Sequence, residues 1–236
     1  MSIRAVLFDL GNTLVSYYRV DEFPEILRRC LRGCLAELEP RASAEPDEKL
    51  YNLALTLNRE SDDHAVRPLA GRLGILFPEH RNDPLALERL SAAFLQPILE
   101  TAKLDPEAIP VLETLRSMGK SLAIVSNTPW GSAATTWRDE LERHGLLAAV
   151  DAAVFCVDAG FRKPHPAPIR HALRALGATE RDAVFVGDDA RWDVLGARAA
   201  GVRPLLLLPG TATPDDVPVI HRLREVLAYV TAEDAA

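Results

Sequence analysis

The sequence contains little cysteine and no excess of positive charge. Its 236 residues include three cysteines and no CxxC pair, which argues against a disulfide framework or a cysteine-rich zinc site. Lys and Arg number 27 against 34 Asp and Glu, giving a formal net charge of −7, whereas nucleic-acid-binding proteins usually carry a basic face. We therefore expect buried thiols in a reducing compartment and no nucleic-acid partner.

Long apolar runs are also missing. The four leucines at 205–208 are among the longest, far below the roughly 20 residues that span a bilayer. The chain reaches Asp9 without the apolar stretch of a secretory signal,. These features predict a cytoplasmic protein with no membrane partner. The sequence leaves the oligomeric state open between a monomer and a homodimer.

Short apolar runs bounded by turn-forming residues predict strands that are buried on both faces. They lie at 5–8, 121–126, 152–157, 183–186 and 204–208. Helical patterns alternate with the later runs, beginning at 105 and covering 136–144, 166–176 and 191–200. This alternation predicts right-handed βαβ units, and so a three-layer, Rossmann-like α/β core around a parallel sheet.

Residues 16–101 interrupt that alternation. Apolar side chains there repeat at helical spacing over 23–38, 50–57 and 85–99, the last bent or ended near Pro97, with no convincing strand,. We predict a helical cap at 16–101, inserted into a core formed by 1–15 and 102–236.

Polar side chains follow the predicted strands and should meet at one edge, because ligands bind beyond the carboxyl ends of parallel strands. A carboxylate, a hydroxyl, a lysine and an acidic cluster are the groups used in phosphoryl transfer through an aspartyl-phosphate with a hard metal ion. The polar residues that follow the predicted strands are Asp9, Thr13, Ser126, Asn127, Lys163, Asp188, Asp189 and Asp193.

Four motifs in this order resemble those of the haloacid dehalogenase-like (HAD) hydrolases, over roughly residues 3–208. An insert after the first motif strengthens the resemblance, because many members carry a cap there. The motifs are Phe8-Asp9-Leu10-Gly11-Asn12-Thr13-Leu14, Val125-Ser126-Asn127-Thr128, Arg162-Lys163-Pro164, and Val186-Gly187-Asp188-Asp189 with Asp193 following.

The resemblance implies a catalytic role for each matched residue. Asp9 would be the nucleophile that attacks phosphorus, and Lys163 would neutralise charge between Asp9 and the phosphate. Ser126 and the Asn127 amide would hold the phosphoryl oxygens. Thr13 would position the phosphoryl group or the nucleophile loop.

The resemblance also implies a Mg²⁺ cofactor, which needs few protein ligands because it retains several waters. Those ligands would be Asp9, Asp188 and the backbone carbonyl of Gly11. Asp189 and Asp193 would orient these ligands and the waters.

Gly11 departs from the phosphatase pattern of the family, in which a second aspartate at this position protonates the leaving group. General acid–base catalysis contributes about 10²–10⁴-fold, so its loss matters. The implied activity is still hydrolysis of a small phosphorylated metabolite, with either a good leaving group or another proton source such as His64.

Two other functions remain open at this stage. In a 2-haloacid dehalogenase, Asp9 would attack carbon without a metal, although the acidic cluster would then repel an anionic substrate. A catalytically weakened member would instead bind a phospho-ligand or a partner protein. A response-regulator receiver would be shorter and fits the motif order less well.

The cap would select the substrate. Tyr17, Tyr18 and Arg19 lie at its entry and could face the substrate, and Trp130 could line the pocket mouth or pack under the cap. Candidates for binding a second anionic group are Arg59, Arg67 and Arg72.

Overall fold

The core is built on a parallel sheet. The computed structural model describes residues 2–39, 45–59, 61–210 and 216–235. In this part of the chain six strands pair in the order β5-β4-β1-β6-β7-β8, every pair parallel. The strands of the chain are β1 (Ala5–Phe8), β2 (Val15–Ser16), β3 (Lys103–Leu104), β4 (Ser121–Ser126), β5 (Ala152–Phe155), β6 (Ala183–Gly187), β7 (Arg203–Leu207) and β8 (Val219–Ile220).

Helices cover both faces of the sheet and also form the insert. Those between β2 and β3 are α1 (Phe23–Leu38), α2 (Glu48–Leu57), α3 (Leu69–Leu76) and α4 (Pro84–Leu99). Those that follow are α5 (Ala108–Ser117), α6 (Ala134–Arg143), α7 (Leu146–Ala149), α8 (Cys156–Ala159), α9 (Ala167–Leu176), α10 (Leu195–Ala200) and α11 (Glu225–Ala235). No helix in the described ranges combines the length and hydrophobicity that a membrane crossing needs.

The central strand β1 shows why the sheet is buried on both faces. Val6 and Phe8 pack in one apolar cluster, with α5 and α11. Ala5 and Leu7 point to the other face, with α9 and α10. Successive strand residues point to opposite faces, so this run needs apolar side chains at every position, and the predicted three-layer α/β fold is confirmed.

The helices of the insert lie where the sequence predicts a cap, with two differences. Ser16 pairs with Lys103 in the short antiparallel ladder β2–β3, so a strand residue falls inside the segment predicted to lack strands. Helix α4 continues through Pro97 to Leu99, although proline cannot donate to the carbonyl of Ala93. Close packing of α1 on α4 maintains the helix: a Cβ on Gly33 would lie 2.7 Å from that carbonyl oxygen.

Several element boundaries also differ from the predictions. The strand predicted at 152–157 ends at Phe155, because residues 156–159 form α8. The helix predicted at 191–200 begins as a wide turn at 190–194 before α10. Strand β8 and helix α3 were not predicted. The three cysteines are buried and unpaired, as expected.

Candidate active site

The predicted site residues meet at the carboxyl edge of the sheet. Phe8 of β1 pairs with Ile124 of β4 and Val186 of β6, so the segments after these three strands emerge side by side. One cavity at this edge is lined by Asp9, Gly11, Asn12, Ser126, Asn127, Lys163, Asp188, Asp189, Trp192 and Asp193.

Lys163 connects two carboxylates at the floor of this cavity. Its side chain is 1% exposed, and its Nζ donates to Asp9 Oδ1 at 2.6 Å, Asp193 Oδ1 at 2.7 Å and the Val125 carbonyl at 2.9 Å. An ammonium group has three donors, so all are used. Burial alone would lower the pKa of Lys163, but Asp193 and Asp9 outweigh it and raise the pKa. Lys163 therefore stays charged.

Asn127 has a role that the sequence did not predict. Its side-chain Oδ1 accepts from the main-chain N–H of Lys163 at 2.8 Å, and its Nδ2 donates to the Lys163 carbonyl at 3.1 Å. Both ends of the amide therefore hold the lysine loop. The side chain of Asn127 therefore positions Lys163, which leaves its main chain to face a ligand in the cavity.

The acidic residues form a tight cluster. One carboxylate oxygen from each of Asp9, Asp188 and Asp193 lies within 4.8 Å of the others. Burial and then the charges of Asp9, Asp193 and Asp189 raise the pKa of Asp188 to about 8. Burial likewise raises the pKa of Asp193, against the opposing effect of Lys163. The cluster holds more negative charge than Lys163 balances.

Asp189 and Asp193 are held by hydrogen bonds within their own loop. Asp193 Oδ2 accepts from the N–H of Asp189 at 3.1 Å, while Asp189 Oδ1 accepts from the N–H groups of Arg191 and Trp192 at 2.7 and 2.9 Å. A Cβ at Gly187 would lie 2.3 Å from Asp193 Oδ2. Only glycine there lets Asp193 approach the strand end and reach Lys163.

Gly11 and Thr13 complete the loop after β1. A Cβ at Gly11 would meet nothing closer than Tyr17 Cδ2 at 4.0 Å, so the missing side chain leaves open space. Thr13 is buried, and its Oγ1 has no hydrogen-bond partner among the described residues. The loop thus offers a buried hydroxyl but no acid over Asp9.

A mostly apolar cavity of about 270 Å³ adjoins the acidic site through Gly11 and Ser126. Tyr17 and Tyr18 contribute to its wall, so both face the site, as the sequence analysis suggested. Arg19 does not, because it is exposed and pairs with Asp21 at 3.0 Å. Other apolar lining residues are Leu10, Ile98, Trp137 and Phe155.

The three arginines singled out in the cap have different surroundings. Arg67 is paired with Asp63 at 2.8 Å. Arg72 is buried, with its guanidinium 5.6 Å from the centre of the Trp130 ring. Arg59 lines a larger cavity beside the site, so it is the candidate that remains suitably placed.

Trp130, a candidate pocket residue, and His64, a candidate proton source, also have defined surroundings. Trp130 packs against α4, with its ring 4.9 Å from that of Phe94, and also borders the larger cavity. His64 accepts a main-chain hydrogen bond from Arg162 at 2.8 Å and is absent from the linings of the cavities described here. His64 is therefore not placed as a proton source.

Sequence reasoning missed two basic residues that lie close to the motifs. Arg162 and Arg191 line the same cavity as Arg59. Arg162 directly precedes Lys163, and Arg191 follows Asp189 by two positions. Their closeness to the motifs could have identified them as candidate binding residues, because loops at strand ends carry binding residues as well as catalytic ones.

Comparison with known proteins gives a consistent result. The haloacid dehalogenase-like hydrolase family model matches residues 3–201. Glyceraldehyde 3-phosphate phosphatase of Methanopyrus kandleri is 31% identical over 97% of this chain and 97% of its own. Phosphoglycolate phosphatase of Rhodospirillum rubrum is 35% identical over 88% of this chain and 80% of its own. A solved 2-haloacid dehalogenase from Pseudomonas syringae pv. Tomato is 29% identical, with TM-score 0.70, over 98% of this chain and 99% of its own.

Proposed function

This chain belongs to the haloacid dehalogenase-like hydrolase family, and from that premise we propose that it is a Mg²⁺-dependent phosphatase of small phosphomonoesters acting through phospho-Asp9. The observation that carries the proposal is the buried contact between Asp9 and Lys163 beside Asp188. Relatives named as phosphatases of small phosphorylated compounds support the same reaction class.

The proposed reaction has two displacement steps at phosphorus. Lys163 holds Asp9 Oδ1 at 2.6 Å, which fixes the carboxylate and leaves Oδ2 to attack. A bond then forms between Oδ2 and phosphorus as the bond to the leaving oxygen breaks, and that oxygen takes a proton from water. In the second step water attacks phosphorus, releasing phosphate and restoring Asp9. Splitting one difficult step into two is the benefit of covalent catalysis.

The phosphoryl oxygens need donors and positive charge. We assign Ser126 Oγ and the main chain of Asn127 as donors, since both residues line the cavity over Asp9. Lys163, whose three N–H groups already have partners, supplies the positive charge. The buried, unpartnered hydroxyl of Thr13 would support the phosphoryl group or the Asp9 loop.

The acidic cluster fits a magnesium ion. Its oxygens are the hard donors that Mg²⁺ prefers. Burial and then the neighbouring carboxylates raise the pKa of Asp188, and a bound cation would offset both effects. Asp9, Asp188 and the Gly11 carbonyl would hold the ion. Asp193 and Asp189 would orient them, because both already accept hydrogen bonds in their loop. Bound Mg²⁺ would stabilise negative charge on the phosphoryl oxygens.

Loss of Asp188 should change the magnesium requirement. We expect Asp188→Asn to raise the Mg²⁺ concentration for half-maximal phosphate release by roughly 100-fold, since loss of a metal-supporting group typically costs 10–100-fold. The assay is phosphate release from a panel of esters and acyl phosphates across a Mg²⁺ titration. Asp182→Asn makes the same charge change before β6 begins, at the other end of the strand, and should leave the titration unaltered. An unchanged titration in Asp188→Asn contradicts the assignment of this ligand.

The Gly11→Asp variant tests whether the absence of a general acid at this position limits turnover. The nearest atom to a new Cβ is 4.0 Å away, so the Cβ itself meets no clash. We expect turnover of alkyl phosphates, which are poor leaving groups, to rise by about tenfold or more, and turnover of aryl or acyl phosphates to change much less. Gly11→Ala, which adds the Cβ without an acid, is the control. Equal effects on both substrate types would show that the acid is not what limits this enzyme.

Dehalogenation is the second candidate, because the solved 2-haloacid dehalogenase shares 29% identity with this chain. The cluster of Asp188, Asp189 and Asp193 argues against it, since these carboxylates would face an anionic haloacid without a metal. Halide release from 2-chloropropanoate in the presence of a chelator would favour dehalogenation over our proposal.

A further inference from the structure

A second, larger cavity opens beside the acidic site. It has a volume of about 740 Å³ and is lined by Arg59, Arg162 and Arg191, which come from three separate segments. None of the described lining residues is acidic. In a chain of net charge −7, the guanidinium groups of Arg59 and Arg191 place positive charge at this cavity.

This cavity borders the proposed phosphoryl site. Asn12, Asn127 and Trp192 line both cavities, so the two are neighbours, and one substrate that reaches past these side chains would occupy both. The cavity lies between the cap, which supplies Arg59, and the loops after α8 and β6 that supply the other arginines.

Two of the arginines are held at the cavity by neighbouring groups. Arg162 Nη1 donates to the Thr128 carbonyl at 2.9 Å, and the Arg191 guanidinium lies 4.1 Å from the centre of the Trp192 ring. Arginine can bind carboxylate and phosphate oxygens through paired N–H donors. Guanidinium groups that are already positioned lose less conformational entropy on binding.

We propose that this cavity binds a second anionic group of the substrate, so that the preferred substrates are phosphomonoesters that also carry a carboxylate or another phosphate. The proposal rests on the phosphatase function proposed above and adds the substrate class. Arg59 and Arg191 are the specificity-determining residues, and Lys163 and Ser126 serve the phosphoryl group that is transferred.

The test compares kcat/KM for paired esters that differ in one charge. One pair is 3-phosphoglycerate and glycerol 3-phosphate, and the other is 1,3-propanediol bisphosphate and 3-hydroxypropyl phosphate. We expect the charged member to be preferred by about tenfold or more, because a charge-assisted hydrogen bond is worth at least that factor. The two pairs distinguish a carboxylate site from a phosphate site.

Substitutions of the arginines then show which residues cause the preference for the charged ester. Arg59→Gln and Arg191→Gln should each lower the charged-to-neutral ratio by about tenfold, mainly through KM, and Arg59→Lys should restore part of it. Arg4→Gln removes the same charge immediately before β1, at the opposite edge of the sheet, and should leave the ratio unchanged. Higher salt should reduce the wild-type preference, because exposed charges are screened.

The outcomes separate the two proposals. Hydrolysis of the neutral esters without any preference for their charged partners overturns the anion site and leaves the phosphatase intact. A preference that survives both Arg59→Gln and Arg191→Gln also overturns it. If neither these esters nor aryl and acyl phosphates are hydrolysed with Mg²⁺, the phosphatase itself is refuted; hydrolysis of aryl or acyl phosphates while both charged esters stay intact overturns the anion site alone.

Discussion

Asp9→Asn is expected to lower phosphate release by roughly 10³-fold or more, the scale seen when a covalent nucleophile is removed. Asparagine has nearly the same shape, but its amide oxygen is a poor nucleophile. Lys163 would keep its contact with Asp193 at 2.7 Å, so the buried cation stays paired and the variant should fold. Phosphate release with saturating Mg²⁺ measures the effect.

Two controls make this result specific to the nucleophile. Thermal unfolding of Asp9→Asn should resemble that of the wild type, which separates lost chemistry from lost structure. Asp182→Asn, the same substitution away from the site, should retain the wild-type rate. Turnover by Asp9→Asn within about tenfold of the wild type would be inconsistent with catalysis through this residue.

Lys163→Met should remove activity and also destabilise the fold. Without the ammonium, Asp9 and Asp193 are left as buried carboxylates with no cation between them. Breaking a buried ion pair by removing one partner typically costs about 3–5 kcal/mol of unfolding free energy. Loss of the charge over the phosphoryl group should also lower kcat/KM by roughly 10³-fold.

The stability loss in Lys163→Met should depend on pH. Burial already raises the pKa of Asp193 in the wild type, and loss of Lys163 raises it further. The folded variant then holds a proton that the unfolded chain has released, so its stability falls as pH rises. Urea unfolding without Mg²⁺ should show a larger deficit at roughly pH 8 than at roughly pH 5.

Lys120→Met is the matched control for this prediction. Lys120 is also a buried lysine, donating to the Ile3 carbonyl at 2.6 Å and to Asp234. Its carboxylate partner is 28% exposed and can be hydrated when the lysine is lost, so the cost should be smaller. The folded fraction should keep its activity. Equal stability in Lys163→Met and the wild type at both pH values would contradict the role given to Lys163.

The location of the site could be predicted from the sequence because its residues follow buried strands. Asp9, Ser126 and Asp188 come directly at or after the ends of β1, β4 and β6, and parallel strands bring their carboxyl ends to one edge. Once three apolar runs are recognised as neighbouring strands, this meeting follows. The same reasoning predicts the three-layer core.

Side-chain direction could not be predicted in the same way. Asn127 follows a strand like the other site residues, yet its amide turns to the main chain of Lys163, 36 positions away. Arg67 and Arg72 match Arg59 in charge and segment, but Asp63 pairs with one and Trp130 covers the other. Such differences depend on tertiary neighbours that spacing along the chain does not reveal.

Two details of secondary structure also depend on tertiary neighbours. Pro97 normally ends or bends a helix, but α4 continues to Leu99 because it is packed against α1 at Gly33. The two-residue strand β8 is too short to show an alternating pattern, and pairing with β7 alone defines it. In both places tertiary packing outweighs local propensity.

The most direct test of the central claim is to isolate the covalent intermediate. The wild-type protein is mixed with an aryl phosphate and Mg²⁺, quenched in acid within the first turnovers, and digested for mass spectrometry. We expect the mass of one phosphoryl group on the peptide that contains Asp9, and its absence in Asp9→Asn. Rapid phosphate release with no phosphorylated Asp9 peptide, or with the label on another residue, would contradict the account.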